Sequence, residues 1–136
     1  MSATVATAPV SATMQHRARI YQFVLGFNMT LHLVIGLACM FAYDFVTHMF
    51  GLPGPVPPGW ENGWGATLIL VTALYVPGLL DPLGTKAPNI IGVGGRVWMA
   101  TVWFVVGGGF FWFGVFDLTF AIIIGSLYAL IFKARD

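Results

Sequence analysis

IYQFVLGFNMTLHLVIGLACMFAY, residues 20–43, contains no Asp, Glu, Lys or Arg. At 1.5 Å per residue a helix of this length covers a hydrocarbon core of about 30 Å with turns to spare. Its apolar residues do not alternate with polar ones at period two, so it does not read as a strand of a membrane barrel. A helix satisfies its own backbone in lipid, and that makes this stretch the first of several membrane spans.

The rest of the chain agrees. Of its 136 residues, 58% are hydrophobic and only 8% are charged. A water-soluble domain carries roughly a quarter charged residues, so this chain has too few to cover a water-facing surface. Three further apolar runs follow, at about 64–80, 97–114 and 118–132. They are short, so helix ends must extend into flanking polar residues or the bilayer must thin locally. The expected fold is an all-α integral membrane protein, a single domain over 1–136 built as a four-helix transmembrane bundle. Residues 1–15 carry no positive charge followed by an apolar core, so they do not read as a cleavable signal. They are expected to be disordered or to lie along a surface.

Charge sets the expected orientation. Arg17 and Arg19 precede the first span, Lys86 and Arg96 fall between the second and third, and Lys133 and Arg135 follow the fourth. With four spans, all six fall on one side, which basic loops make cytoplasmic. Both termini are therefore expected inside. Asp44, Glu61 and Asp117 fall on the other side, with Asp117 in a very tight link between the third and fourth spans. GLPGPVPPGWENGW (51–64) is an outer loop bracketed near its end by Trp60 and Trp64, and DPLGTKAPN (81–89) is an inner turn. Pro77 is expected to bend or end the second span. With no organelle-targeting signal, the chain is assigned to a bacterial inner (plasma) membrane.

Composition excludes several functions. A net charge of +1 supplies no basic face for nucleic acid. One cysteine, Cys39, excludes an internal disulfide and a multi-cysteine metal site. Gly92, Gly94 and Gly95 before Arg96 are no nucleotide fingerprint, because no strand precedes them.

At 100° per residue, Tyr21, Asn28, His32, Cys39 and Tyr43 fall within roughly 60° of one another on the first span. Lipid offers such a stripe no hydrogen-bond partner, so it must face protein or a cavity. Asn28-Met29-Thr30 spells a glycosylation acceptor, but inside a span no glycosyl transfer reaches it. Two readings of the stripe compete. One is an interhelical hydrogen-bond seam, with Thr67, Thr72 and Thr101 as partners. The other is a quinone or haem site formed by His32, Asn28 and Tyr21. His32 is the one histidine well inside a span, since His16 and His48 lie at opposite faces. A bis-histidine haem would therefore need a partner chain. At the outer end Asp44 and His48, four apart, with Glu61 and Asp117 nearby, have the right types for a divalent metal.

Small residues are the other signal, since close packing replaces the hydrophobic drive between helices in lipid. Ala121, Gly125 and Ala129 are spaced by four on the last span, and Gly26 and Thr30 on the first. Gly107-Gly108-Gly109 weakens the third span or marks a bend in it. The FFWFGVF run (110–116) reads as lipid-facing aromatics at headgroup depth.

In size, in its four spans and in its first span running from Arg17 and Arg19 through Gly26 and Gly36, the chain resembles the DoxX-type small membrane proteins. That resemblance covers layout and implies association with quinone-linked redox complexes. It carries over no functional residue, because the family's glycine–lysine pair late in the first helix and its carboxylate in the second are absent. Taken together, these features point to a non-catalytic accessory subunit that packs on or helps assemble a larger membrane complex, such as an oxidoreductase. Its partners would be membrane lipids and other membrane subunits or copies of itself. The alternative is a quinone- or haem-binding redox protein using the polar stripe.

Overall fold

A computed structural model describes residues 11–54 and 59–133. Five α-helices make up the described residues: α1 (Ala12–Phe41), α2 (Tyr43–Phe50), α3 (Gly59–Leu80), α4 (Lys86–Val106) and α5 (Phe111–Phe132). Four of them, α1, α3, α4 and α5 with its preceding turn, are long and apolar enough to cross a membrane. Each packs on its neighbours in chain order and α5 returns to α1, which closes an up-down-up-down ring.

Local chemistry explains the ends. Ser11 caps α1, its Oγ accepting from the Met14 backbone N–H at 3.2 Å. The first helix therefore begins well before residue 20 and takes in residues 12–15, expected from sequence to be disordered or to lie along a surface; residues 1–10 lie outside the described ones. It stops at Ala42, whose backbone leaves the helical region (φ −142°, ψ 41°), and α2 follows as a short separate helix ended by a left-handed Gly51. Pro77 neither breaks nor ends α3 at once: the helix runs on to Leu80, and the Asp81 N–H still reaches the Pro77 carbonyl at 3.1 Å. Asp81 then shapes the turn into α4, accepting from the Gly84 N–H through its side chain at 2.9 Å.

The second half of the chain differs most from the sequence reading. The link between the last two long helices is Gly107–Phe110, not the neighbourhood of Asp117. Gly107 (φ +72°) and Gly108 (φ +58°) adopt backbone conformations that side-chain-bearing residues rarely take, so the glycine triplet is the turn itself. As a result α4 covers 86–106 instead of 97–114, and α5 covers 111–132 instead of 118–132. Arg96 and Asp117, both assigned to loops from sequence, now lie inside helices. Arg96 is ten residues into α4, about 15 Å from its start.

Small-residue packing is also redistributed. Among the long helices, α1 and α3 approach closely at Gly36 and Gly65, where a Cβ on Gly36 would stand 2.9 Å from the Gly65 carbonyl oxygen. Gly26 is looser, with Leu79 Cδ1 at 3.8 Å from its would-be Cβ, and Thr30 is exposed. On α5, Ala121 is buried and Gly125 meets Val93 of α4, but Ala129 is exposed. The ridge therefore packs over two of its three positions. FFWFGVF likewise divides: Phe111 and Trp112 face outward, while Phe110, Phe113 and Phe116 turn inward.

Candidate functional site

The polar stripe of α1 faces the centre of the bundle. Tyr21, Asn28, His32 and Cys39 are buried, and Tyr43, beyond the break at Ala42, is half-buried. The expected threonine partners do not meet it. Thr67, Thr72 and Thr101 each return their hydroxyl to the carbonyl four residues back in their own helix, as hydroxyls do when no better acceptor is near.

What meets the stripe is Arg96, 3% exposed, projecting from α4 across the bundle axis. Its Nη2 donates to Asn28 Oδ1. Nη1 lies 3.2 Å from His32 Nε2 and 3.3 Å from Asp117 Oδ1 of α5. The guanidinium also lies over the Tyr75 ring of α3, 5.5 Å from its centroid. One side chain thus ties all four long helices together. Arg96–Asp117 is the one ion pair among the described residues. A charge at this depth is costly unless it is paired and hydrogen-bonded. Here the paired carboxylate and two neutral acceptors meet that need.

Because Arg96 is a donor only, His32 must accept through Nε2, which places the imidazole proton on Nδ1. That Nδ1 and the Asn28 Nδ2 amide are buried and have no hydrogen-bond partner among the described residues.

Tyr21 belongs to a separate, fully satisfied knot about two turns from Asn28 toward the N-terminal end of α1. Its hydroxyl donates to Asn89 Oδ1 at 2.8 Å, and the Asn89 amide donates to the carbonyls of Gly78 (3.3 Å) and Thr85 (3.1 Å). Gly78 has no room for a side chain because Asn89 occupies that space. The set Tyr21, Asn28 and His32 is therefore split between two clusters. Asn28 and His32 share one, and Tyr21 anchors the turn between α3 and α4.

Cys39 leads to a third feature. At the end of the bundle away from Arg17, Lys86 and Lys133, a cavity of about 320 Å³ opens between α1, α2, α3 and the α4–α5 turn. Trp60, Trp64, Trp103, Phe110 and Phe113 supply its walls, and Glu61 is its one charged lining residue among the described residues. Trp64 meets Trp103 edge to face (centroids 5.3 Å, 87°), and Phe110 stacks on Trp103 in parallel (5.3 Å, 5°). The metal set is not assembled. Asp44 and His48 are exposed on α2, Glu61 turns to the cavity, Asp117 is committed to Arg96, and no group of three metal-ligating side chains forms among the described residues.

Sequence reasoning missed Arg96 as a site residue and set Asp117 beside the outer metal candidates instead of opposite Arg96. Glycine-rich sequence around Arg96 and a polar interruption at Asp117 both look like loop. The usable signal was the glycine triplet at 107–109: read as the turn, it lengthens both flanking spans and draws both charges inside. Compared with family models, with curated proteins and with solved structures, the chain matches none.

Proposed function

We propose that this chain is a non-catalytic subunit of a membrane complex, crossing a bacterial plasma membrane four times with both termini cytoplasmic. One observation carries the reading: the ionisable groups at the bundle centre are closed on one another. Arg96 and Asp117 pair with each other, and Asn28 and His32 supply the remaining acceptors, so the buried charges close within a single lock. Such a centre suits holding the helices in register.

The outward faces fit the same role. In the most apolar stretch of each long helix only 17–33% of residues are buried, so each helix keeps an outward face for lateral contact. Large apolar side chains such as Phe23, Phe27, Phe41, Leu74, Ile91 and Trp98 project from it. Lipids and neighbouring subunits are the partners such faces take. The orientation rests on Arg17, Arg19, Lys86 and Lys133, which gather at one end of the bundle; Arg17 Nη1 donates to the Leu130 carbonyl at 2.6 Å and Lys86 lies over Phe132. The layout's resemblance to DoxX-type proteins is the ground for naming an oxidoreductase as the host complex.

The test is to isolate the chain from its native membrane in mild detergent and identify what accompanies it in fixed ratio. Subunits of an electron-transfer complex are expected. A protein that runs by itself would contradict the reading, and an external signal from a reporter fused after Asp136 would contradict the orientation.

A second reading, a quinone-binding redox protein, draws on the unpartnered His32 Nδ1–H and Asn28 amide. Two donors of this kind suit the carbonyl oxygens of a quinone. Haem suits them less, because the other imidazole nitrogen already accepts from Arg96. A quinone extracted from purified protein, and lost with His32→Ala, would favour this reading over the first.

A further inference from the structure

The aromatic cavity plays no part in either reading. Its walls include the rings of Trp60, Trp64, Trp103, Phe110 and Phe113, and its one charge among the described residues is the Glu61 carboxylate. Glu61 has no ion-pair partner among the described residues, and the basic side chains gather at the opposite end. An anion would meet a carboxylate of its own sign there. A metal ion would find too few ligands. A purely apolar guest would make no use of the carboxylate at the cavity wall. One ligand class answers both features. A cation with apolar substituents is attracted to indole faces by their quadrupole and to Glu61 by its charge. The walls are fixed for that purpose, since Trp64 and Trp103 meet at 87° and Phe110 backs Trp103.

We propose that this cavity binds a quaternary or alkylated ammonium group, held against the aromatic walls that Trp60, Trp64 and Trp103 supply, with Glu61 as counter-charge. About 320 Å³ accommodates such a group together with a short substituent. Trp60, 75% exposed, stands at the edge, and the cavity lies at the helix ends where the headgroups of a surrounding bilayer would be. The group can therefore come from a phosphocholine headgroup or from a free organic cation. The inference does not rest on the subunit reading and survives its failure.

The test uses the full chain in maltoside micelles, titrated with choline while tryptophan emission is followed. In parallel, the carbon isostere of choline is added, in which a quaternary carbon replaces the nitrogen. Saturable change with choline is expected, with binding weakened about tenfold or more for the isostere and for Glu61→Gln. Because the isostere is read on the unaltered protein, the outcome does not depend on any variant folding. A short-chain phosphatidylcholine then separates the sources. Tighter binding than choline supports the lipid headgroup, and equal or weaker binding supports a free cation. No saturable response to choline, equal binding of the isostere, or unchanged affinity in Glu61→Gln overturns the proposal.

Discussion

Arg96 of α4 and Asp117 of α5 form an ion pair at 3.3 Å in the centre of the bundle, with the guanidinium 3% exposed and the carboxylate 14% exposed. A pair this deep adds little net stability over a packed apolar pair, because both charges must be stripped of water. Its weight lies in what happens when one member is lost. Asp117→Leu leaves the guanidinium with only the neutral acceptors Asn28 and His32, and about 3–5 kcal/mol of stability should go with it. Asp117→Asn keeps an acceptor and should lose clearly less. Thermal unfolding in detergent ranks the two variants, and a reversed order would contradict the assignment.

The α1–α3 contact makes a second prediction. A methyl group on Gly65 would press on the Gly36 carbonyl and on Cys39 and Met40, whereas one on Gly26 meets only the end of Leu79. Gly65→Ala should therefore cost about 1–3 kcal/mol by overpacking. Gly26→Ala should be neutral or stabilising, since alanine is the better helix former by up to about 1 kcal/mol. Equal melting temperatures for the two variants would show that the helices do not touch at Gly36 and Gly65.

The turn at Gly107 and Gly108 makes a third. Both residues have positive φ, and at Gly107 ψ is −160°, a region nearly reserved for glycine. Gly107→Ala should cost about 1–3 kcal/mol through backbone strain, although no neighbour lies within 4 Å of its would-be Cβ. Gly94→Ala, equally open but mid-helix, should cost nothing. Matching losses at both positions would place the turn elsewhere.

Much of the architecture is legible in the sequence. Apolar length marks the first two spans, and the helical spacing of Tyr21, Asn28, His32 and Cys39 predicts the inward-facing stripe. Its partners are less legible. Loop-like surroundings hide Arg96 behind three glycines, and a buried arginine is rare enough in a span that loop is the better guess from sequence. Asp117 follows the same logic. Only the pairing across α4 and α5 makes either tolerable, and pairing is a tertiary property. The cavity is less legible still. Trp60, Trp64 and Trp103 lie far apart in sequence or read as interfacial aromatics, and nothing in their spacing shows that they converge with Glu61.

Tyr21 and Asn89 supply a fourth prediction. Their 2.8 Å hydrogen bond joins α1 to the start of α4, and both side chains are buried. Tyr21→Phe keeps the ring contact with Tyr128 at 5.1 Å but leaves the Asn89 oxygen without its donor. A loss of about 1–3 kcal/mol is expected, the usual cost of a buried unsatisfied polar atom. Asn89→Ala, which also frees the carbonyls of Gly78 and Thr85, should cost more. Unfolding measured by near-ultraviolet circular dichroism checks the order.

The claim at the centre of this account is that the buried charges close on each other as a structural lock. A double-mutant cycle with Arg96→Met, Asp117→Leu and the combined variant tests it directly through unfolding free energies in detergent. The combined variant still forfeits the Asn28 and His32 contacts, so it will not match the native protein. It should nevertheless be more stable than the sum of the single losses predicts by about 1–3 kcal/mol, because no uncompensated charge remains. Single losses that simply add would mean that Arg96 and Asp117 do not depend on each other, and the lock would not exist.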